Sequence, residues 1–212
     1  MKKQEILRYL GASADTDQLD DLIRKAEELI ISSAHPRHIF RRFPIAVSKK
    51  KVTINQTEIF SQDLAAHLRG CSEAFLFALT LGTEVDTLIR RCTVTDMPLV
   101  PVLQACAAAY TEECADLAQQ ELERIAAEDS LYLRPRYSPG YGDFDLSNQK
   151  FLFGALDVTK GIGVTLTKDF LMIPFKSITA VIGLSPDQSL CHIGKCMTCT
   201  MTDCPFRKEE NP

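Results

Sequence analysis

Four of the eight cysteines lie close together near the C-terminus, at a spacing that can bind a metal. This cysteine-rich tail has the pattern Cys191-x4-Cys196-x2-Cys199-x4-Cys204, followed by proline. Four thiolates so close in sequence can converge on one zinc ion or one iron–sulfur cluster. One two-residue spacing between two four-residue spacings, followed by a final Cys-Pro, favours an iron–sulfur cluster. Zinc is the alternative. Disulfides or unpaired thiols are the remaining interpretations. His192 is a further potential ligand or an exposed, uncoordinated side chain.

A second group of functional side chains lies in residues 134–144, which read Arg-Pro-Arg-Tyr-Ser-Pro-Gly-Tyr-Gly-Asp-Phe. Two prolines and two glycines favour a turn-forming loop over a helix. The planar guanidinium of Arg136 suits a carboxylate, and Tyr141 offers a flat face with a polar tip. The residues alone leave two interpretations open, a site for a small anionic ligand or a surface loop between two elements. In either case we expect Arg136 to be exposed.

The composition is that of an ordinary globular protein, with 45% apolar and 25% charged residues. A net charge of −4 argues against binding nucleic acid or an anionic membrane through bulk charge. We find neither a signal peptide nor an apolar run of about 18 residues, so we expect a cytoplasmic protein. Disulfides are rare in that compartment, which strengthens the metal interpretation of the tail. The other cysteines lie in apolar patterns and are expected to pack as small hydrophobes: Cys71, Cys92, Cys106 and Cys114.

Helical and strand patterns alternate along the chain. Asp15 or Thr16 is the expected cap of an amphipathic helix that runs through Ile31. Residues 73–81 are continuously apolar, which is typical of a central strand buried on both faces. Further helices are expected at 62–69, from Thr83, at 99–127 and, capped by Ser147, at 148–159; further strands at 37–47, 52–54, 164–166, 171–173 and 178–184.

The longest of these helices leads directly into the loop at residues 134–144. Its apolar residues recur on or near one face: Val102, Leu103, Cys106, Tyr110, Cys114, Leu117 and Leu122. We therefore expect an α+β (α/β mixed) fold, in which helices pack on a mixed, antiparallel-rich sheet. This body would span residues 1–186, with a helical part at 1–42, and the cysteine-rich tail would span 187–212.

Three motifs in the second half of the chain resemble a known family. They are Arg136-x-x-Pro139-Gly140-Tyr141, then Ser147-Asn148-Gln149-Lys150, and finally Leu156-Asp157-x-x-Lys160-x-x-Gly163-x-x-Leu166-Thr167-x-x-Phe170-x-Met172-x-Pro174-x-x-Ser177-x-x-Ala180. This stretch resembles the activation domain of cobalamin-dependent methionine synthase. The resemblance extends over residues 43–184, and the part around residues 79–97 looks like the small stand-alone members of the family.

The resemblance implies a domain that binds S-adenosylmethionine and helps to restore methionine synthase after its cobalamin has been oxidised to cob(II)alamin. One electron reduces the cobalt, and methyl transfer from the sulfonium traps it as methylcobalamin. No catalytic side chain is required, because the cobalt attacks the methyl group. Arg136→Ala should then abolish ligand binding and leave the fold intact. The implied ligand residues are Arg136, Ser138, Gly140 and Tyr141, with Glu112 and Asp116 of the long helix as acidic partners.

The chain also departs from this family in two respects. The homocysteine, folate and cobalamin modules of the large enzyme are absent, so we expect it to act on a separate cobalamin-binding methionine synthase or another corrinoid protein. The family's tyrosine-containing segment is replaced by residues 184–187 and the tail, which leaves one wall of the ligand site without a counterpart. A cluster there suggests an electron relay that replaces, or receives from, a flavodoxin- or ferredoxin-type donor.

Two other functions remain open from the sequence. One is a non-catalytic module that caps a corrinoid protein and uses zinc to hold its tail. The other is a redox enzyme unrelated to cobalamin that uses the cluster alone.

Overall fold

The computed structural model describes residues 1–11 and 16–191. It contains one six-stranded sheet in the order β3-β2-β1-β4-β8-β5, with antiparallel neighbours throughout, and a separate two-stranded hairpin, β6-β7. The strands are β1 (Arg37–Val47), β2 (Lys51–Ile54), β3 (Thr57–Phe60), β4 (Glu73–Thr80), β5 (Tyr132–Leu133), β6 (Thr165–Leu166), β7 (Met172–Ile173) and β8 (Ser177–Ser185). The helices are α1 (Lys3–Leu10), α2 (Asp17–Ser33), α3 (Gln62–His67), α4 (Thr83–Thr95), α5 (Val100–Glu128), α6 (Gln149–Leu156) and α7 (Val158–Ile162).

Helices cover both faces of the sheet, and this explains the unbroken apolar sequence of β4. Phe75, Phe77 and Leu79 point to a core formed with α1, α2, α4 and α5. Leu76 and Ala78 alternate with them and point to a second core, formed with α3, α6 and α7. The prediction of a central strand buried on both faces is therefore confirmed, as is the antiparallel-rich sheet with packed helices.

Two strands escaped the sequence analysis, β3 and the two-residue β5. β3 follows β2 through a two-residue turn, in which Asn55 and Gln56 have φ values of 47° and 65°. Asparagine tolerates this left-handed region, but the following glutamine is not the usual glycine of such a turn, so the hairpin signal was weak. Phe60 is 71% exposed, in keeping with a short strand at the sheet edge.

Three details of the predicted helices are wrong. The expected helix at 148–159 is broken at Asp157, whose φ is 55°, so that α6 ends at Leu156 and α7 begins at Val158. The side chain of Asp145, not Ser147, caps the preceding turn by accepting from the Ser147 N–H at 2.8 Å. In α5, Leu117 is 59% exposed, because small alanines occupy much of the buried face.

The other expectations for caps and core cysteines are confirmed where the structure describes them. Thr16 accepts from the Leu19 N–H at 3.3 Å and so caps α2, whereas Asp15 lies outside the described residues. The four cysteines outside the tail are buried: Cys71, Cys92, Cys106 and Cys114. Within residues 1–11 and 16–191, no helix is both long and apolar enough to cross a membrane.

Candidate functional site

The segment after β5 runs along the edge of β8 and contains a β-bulge. The Arg134 N–H donates to the Gly183 carbonyl at 2.8 Å, and Tyr137 and Val181 exchange two backbone bonds of 2.9 and 2.8 Å. Between these two pairs the segment advances by three residues, from Arg134 to Tyr137, whereas β8 advances by only two, from Gly183 to Val181. The segment therefore contains one extra residue. Because side chains alternate along a strand, the extra residue sends Arg134 and Arg136 to opposite faces of the sheet.

Arg136 lies on the face covered by α5 and meets the two predicted acidic residues there. Its Nη2 donates to Glu112 Oε2 at 2.9 Å and to Asp116 Oδ1 at 2.6 Å, and its Nη1 donates to Gln119 Oε1 at 2.9 Å. The three acceptors are spaced four and three residues apart, so they share one face of α5. Burial lowers the pKa of Arg136, but the bond to Asp116 and the charges of both carboxylates outweigh it, so the pKa is raised.

The expectation that Arg136 is exposed is wrong. The residue is only 6% exposed, and its Nε has no hydrogen-bond acceptor among the described residues. Glu112 and Asp116 are more open, with side-chain exposures of 33% and 69%. Removing this guanidinium would leave two neighbouring carboxylates without their common partner, so Arg136→Ala is not expected to leave the fold unaffected.

The loop beyond Arg136 closes through backbone bonds that need its glycines. The Gly140 N–H donates to the Phe144 carbonyl at 2.7 Å, and Gly140 has a φ of 97°. At Gly142, a Cβ would lie only 2.1 Å from Asp63 Oδ2, so no larger residue fits there without a shift. Phe144 is fully buried in the second core and anchors the end of the loop.

Asp143 joins this loop to the start of α3. Its carboxylate accepts from the N–H groups of Gln62 at 2.7 Å and Asp63 at 3.1 Å, and from the Ser61 hydroxyl. In return, the Asp143 N–H donates to Asp63 Oδ2 at 3.0 Å. Desolvation raises the pKa of Asp143, but these hydrogen bonds outweigh it and lower the pKa overall. The loop is therefore held from both sides.

A cleft of about 160 Å³ lies beside this loop. It brings together three of the predicted ligand residues, Glu112, Ser138 and Tyr141, whereas Arg136, Asp116 and Gly140 are not part of its lining. The remaining lining residues come from α6, from β7 and from the start of β8: Gln149, Met172, Ser177, Ile178 and Thr179.

The floor of the cleft is polar, and sequence reasoning had not assigned it a role. Thr179 donates from its hydroxyl to Gln149 Oε1 at 2.7 Å, and both residues are almost fully buried. The Ser177 hydroxyl donates to the Pro174 carbonyl at 2.7 Å and lies 2.9 Å from the Thr80 hydroxyl. Gln149, Met172 and Ser177 all belong to the motifs that carried the family resemblance, and that was the available signal.

Tyr141 is held in place by an aromatic stack. Its ring meets the Tyr137 ring edge-on at 5.7 Å, and Tyr137 also contacts Phe144 at 6.2 Å and His67 at 4.8 Å. Burial and then the charge of Glu112 raise the pKa of Tyr141, although 42% of the residue remains exposed. Tyr141 can thus present a neutral hydroxyl and part of a ring face to a ligand.

A larger groove of about 730 Å³ lies elsewhere, between the β1–β2 turn and α3. Its charged lining consists of Lys49, Lys50 and Arg69, and it contains none of the predicted ligand residues. Exposed lysines beside small apolar side chains define no particular ligand, so size alone does not make this groove the functional site.

The structure leaves the metal prediction for the tail open. Cys191 is the only one of the four tail cysteines among the described residues; Cys196, Cys199 and Cys204, with His192, lie outside them. In the part of the chain that the structure describes, no group of three or more His, Cys, Asp or Glu side chains could hold a metal ion.

Comparisons with known proteins give one matching family and one similar fold. The family model for the vitamin B12 dependent methionine synthase activation domain matches residues 99–209. Among solved structures, the fold is similar to the MetH reactivation domain bound to AdoHcy, with a TM-score of 0.64 and 18% identity over 88% of this chain and 70% of that one. At that identity the likeness concerns the fold. A search of the curated proteins finds no match.

Proposed function

The chain belongs to the vitamin B12 dependent methionine synthase activation domain family, and from this premise we propose that it binds S-adenosylmethionine and supports reactivation of a separate corrinoid protein. That protein would be a cobalamin-dependent methionine synthase or a related corrinoid methyltransferase. The observation that carries the proposal is that Glu112 and Tyr141 line one cleft, while Arg136 donates to Glu112 from beside it.

The charges of this group match the amino-acid end of the ligand. S-adenosylmethionine has a carboxylate for Arg136 and an ammonium for Glu112. In the structure these two side chains bond to each other, so the ligand would exchange that ion pair for two of its own. The Nε of Arg136, which has no acceptor among the described residues, supplies a further donor for the carboxylate.

The polar floor supports the other end of the same ligand. Gln149 accepts from Thr179 through Oε1, which leaves its amide nitrogen to donate to a ribose or adenine acceptor. The cleft volume of about 160 Å³ is below the roughly 300–1,000 Å³ of sites that enclose a whole ligand. Part of the ligand would therefore remain outside the cleft, open to a partner.

An apolar strip beside the cleft supports docking of that partner. Leu171, Ile173 and Phe175 are 51%, 42% and 66% exposed on or next to β7, and Met172 between them lines the cleft. Exposed apolar side chains grouped in this way are typical of an interaction surface. We assign this strip to the corrinoid protein, because its position would bring the partner to the open side of the bound methyl donor.

The residues of this chain position the methyl donor and perform no covalent step. One electron from a donor of the flavodoxin or ferredoxin type would reduce the partner's cob(II)alamin to the Co(I) state, which would take the methyl group from the sulfonium and release S-adenosylhomocysteine. Arg136 and Glu112 would fix the amino-acid end, while Tyr141 and the polar floor would fix the nucleoside. Such positioning converts an encounter between two molecules into a reaction within one complex.

The cysteine-rich tail adds a second part to the proposal. We infer from its spacing a metal–thiolate centre, an iron–sulfur cluster in preference to zinc, that passes the electron to the cobalt. Metal analysis and the absorption spectrum of anaerobically purified protein test this. A colourless protein with one zinc ion would rule out the relay and leave the tail a structural role.

Titration calorimetry tests ligand binding. Arg136→Gln should weaken S-adenosylmethionine binding at least about 30-fold, the equivalent of about 2 kcal/mol for removing one partner of a buried charge pair. Arg91→Gln removes the same charge from an exposed position on α4 and is the matched control. Equal affinity of the Arg136 variant and the wild type would overturn the site assignment.

Reactivation itself requires a second experiment. The chain is incubated anaerobically with a cob(II)alamin-loaded partner, a reductant and S-adenosylmethionine, and the cobalt spectrum is followed. Formation of methylcobalamin only when the chain is present supports the proposal. Formation at the same rate without the chain contradicts it.

A further inference from the structure

Gln119 of α5 contacts Arg136 but is not among the residues that line the cleft. The Arg136 Nη1 donates to Gln119 Oε1 at 2.9 Å, and the side-chain nitrogen of Gln119 donates to Glu123 Oε1 at 3.2 Å. A guanidinium offers only donors and an ionised carboxylate only acceptors, so the amide can satisfy both neighbours in one orientation alone. Gln119 therefore presents its oxygen to Arg136 in a fixed direction.

The three acceptors on α5 divide the guanidinium of Arg136 between them. Glu112 and Asp116 both accept from Nη2, whereas Gln119 accepts from Nη1. In an arginine the Nε–H points to the same edge of the planar group as one N–H of Nη2, and Nη1 does not contribute to that edge. Gln119 thus restrains Arg136 while it leaves Nε, which has no acceptor among the described residues, accessible to another group.

Glu112 is the acceptor that a ligand can displace. It lines the cleft and 33% of its side chain is exposed, so it contacts both the cleft and Arg136. In the proposed function its carboxylate turns to the ligand ammonium, which frees a donor on Nη2. The ligand carboxylate can then accept from Nε and Nη2 together, the two-donor arrangement that arginine offers to carboxylates. This arrangement requires that the guanidinium keep its orientation when Glu112 leaves.

We propose that Gln119 is a positioning residue, which holds Arg136 in the orientation that receives the carboxylate of S-adenosylmethionine and does not contact the ligand. This inference rests on the proposed function and deepens it. A neutral amide suits the role, because a further carboxylate next to Arg136 would repel the carboxylate of the ligand. The amide oxygen restrains Nη1 without adding charge, and Glu123 restrains the amide in turn.

Titration calorimetry of the full-length chain with two ligands tests the proposal. One ligand is S-adenosylmethionine, and the other is its decarboxylated form, which retains the ammonium, the sulfonium and the adenosine. Gln119→Leu should weaken binding of S-adenosylmethionine about 10-fold, the order of effect expected for losing a hydrogen bond to a charged group. It should change the affinity for the decarboxylated ligand less than about twofold. A general disturbance of α5 or of the cleft would weaken both ligands alike.

Three further variants separate positioning from other effects. Gln120→Leu removes the same amide from an exposed neighbouring position and should leave both affinities within about twofold of the wild type. Gln119→Met, with an unbranched side chain of similar length, should reproduce the result of Gln119→Leu and excludes a packing effect of leucine. When Arg136 is already replaced by glutamine, Gln119→Leu should cause almost no further loss, because its partner is gone. Circular dichroism reports the helical content of each variant.

Three outcomes would overturn this inference while the proposed function stands. The first is equal affinity of Gln119→Leu and the wild type for S-adenosylmethionine. The second is an equal loss for both ligands, which would make the role of Gln119 purely structural. The third is a further 10-fold loss in the Arg136→Gln background, which would mean that Gln119 contacts the ligand directly. A wild-type chain that does not bind S-adenosylmethionine would overturn the proposed function, and this inference with it.

Discussion

Arg134 and Arg136 are separated by one proline, and both are buried with an Nε that lacks an acceptor in the described structure, yet their surroundings differ. Arg136 meets two carboxylates and an amide of α5, all within 2.9 Å. Arg134 donates to a backbone carbonyl and packs with Cys71 over Gly183. The side chains are chemically identical, so the two positions differ only in their surroundings, acidic side chains for Arg136 and a carbonyl and a thiol for Arg134.

The bulge at the β8 edge creates this difference. In regular pairing the two arginines would share one face, because side chains two positions apart point the same way. The extra residue sends one to each face, next to different helices and a different core. A single backbone irregularity thus places two nearby arginines in two different environments.

The sharpest test of this comparison is to remove the bulge. Deletion of Pro135 should restore regular pairing and turn Arg136 to the face on which Arg134 lies. We expect S-adenosylmethionine binding to fall below detection and the free energy of unfolding to drop by about 3–5 kcal/mol, because the Arg136 cation would remain buried without its carboxylate partners. Calorimetry and urea denaturation measure the two effects. Pro135→Ala retains the residue count and should bind within about threefold of the wild type; a deletion variant that binds normally would disprove the role of the bulge.

A second test concerns the stability that the ion pairs on α5 provide. Arg136→Leu should lower the free energy of unfolding by about 1–3 kcal/mol in the absence of ligand, since Glu112 and Asp116 lose their common partner. Urea denaturation at neutral pH measures it. When Asp116 is already replaced by asparagine, Arg136→Leu should lower the free energy of unfolding by less than it does in the wild type. Strict additivity of the two substitutions would show that the residues are not coupled.

The loop beside Arg136 has a pH-dependent anchor that has no equivalent at Arg134. Asp143→Asn should lower the free energy of unfolding by about 1 kcal/mol at pH 7, because the N–H groups at the start of α3 lose a charged acceptor. The pKa of Asp143 is lowered in the folded state, so its contribution is complete above the unfolded value of about 3.9 and is lost as the pH falls through the folded pKa.

Urea denaturation of the wild type and the variant between pH 7 and pH 3 would follow this dependence. The difference between the two proteins should shrink on acidification. Asp169→Asn, at an exposed position, should show no such trend. A difference that stays constant down to the lowest pH would mean that the carboxylate of Asp143 does not stabilise the loop.

The smallest effect is expected at Arg134 in metal-free protein. Arg134→Met removes a buried cation that has no carboxylate partner among the described residues, and it loses one bond to the Arg69 carbonyl. The free energy of unfolding should therefore change by less than about 1 kcal/mol, in contrast to the loss expected at Arg136. Denaturation of the reduced, metal-free variant tests this. A loss of stability as large as that of Arg136→Leu would show that residues 1–186 already provide Arg134 with stabilising partners.

Much of the fold was accessible from sequence because its signals are local. The strand pattern at residues 37–47, the unbroken apolar run of β4 and the long α5 all reflect side-chain periodicity or continuous burial. The missed β3 and the break at Asp157 both depend on non-glycine residues with positive φ, for which periodicity gives no warning. Leu117 was wrongly expected on the buried face of α5, because alanines occupy much of that face.

The ligand residues were partly accessible for a different reason. Arg136, Ser138, Gly140 and Tyr141 stood out through their motif, and Glu112 and Asp116 through the family resemblance, and these remain predictions as a ligand site. The polar floor formed by Gln149 and Thr179 could not be assigned in advance, since the two residues are far apart in the chain and meet only when α6 packs on β8.

The amino-acid sequence by itself determined the alternation of helices and strands, the turn-forming loop and the presence of cationic, acidic and thiol groups, because these depend on residue type and short spacing. The tertiary structure alone decided which of these groups meet. Arg136 faces α5 and Arg134 packs beside Cys71 because β8 pairs with a segment that carries one extra residue. That pairing joins residues more than forty positions apart, and no local pattern encodes the resulting switch of faces.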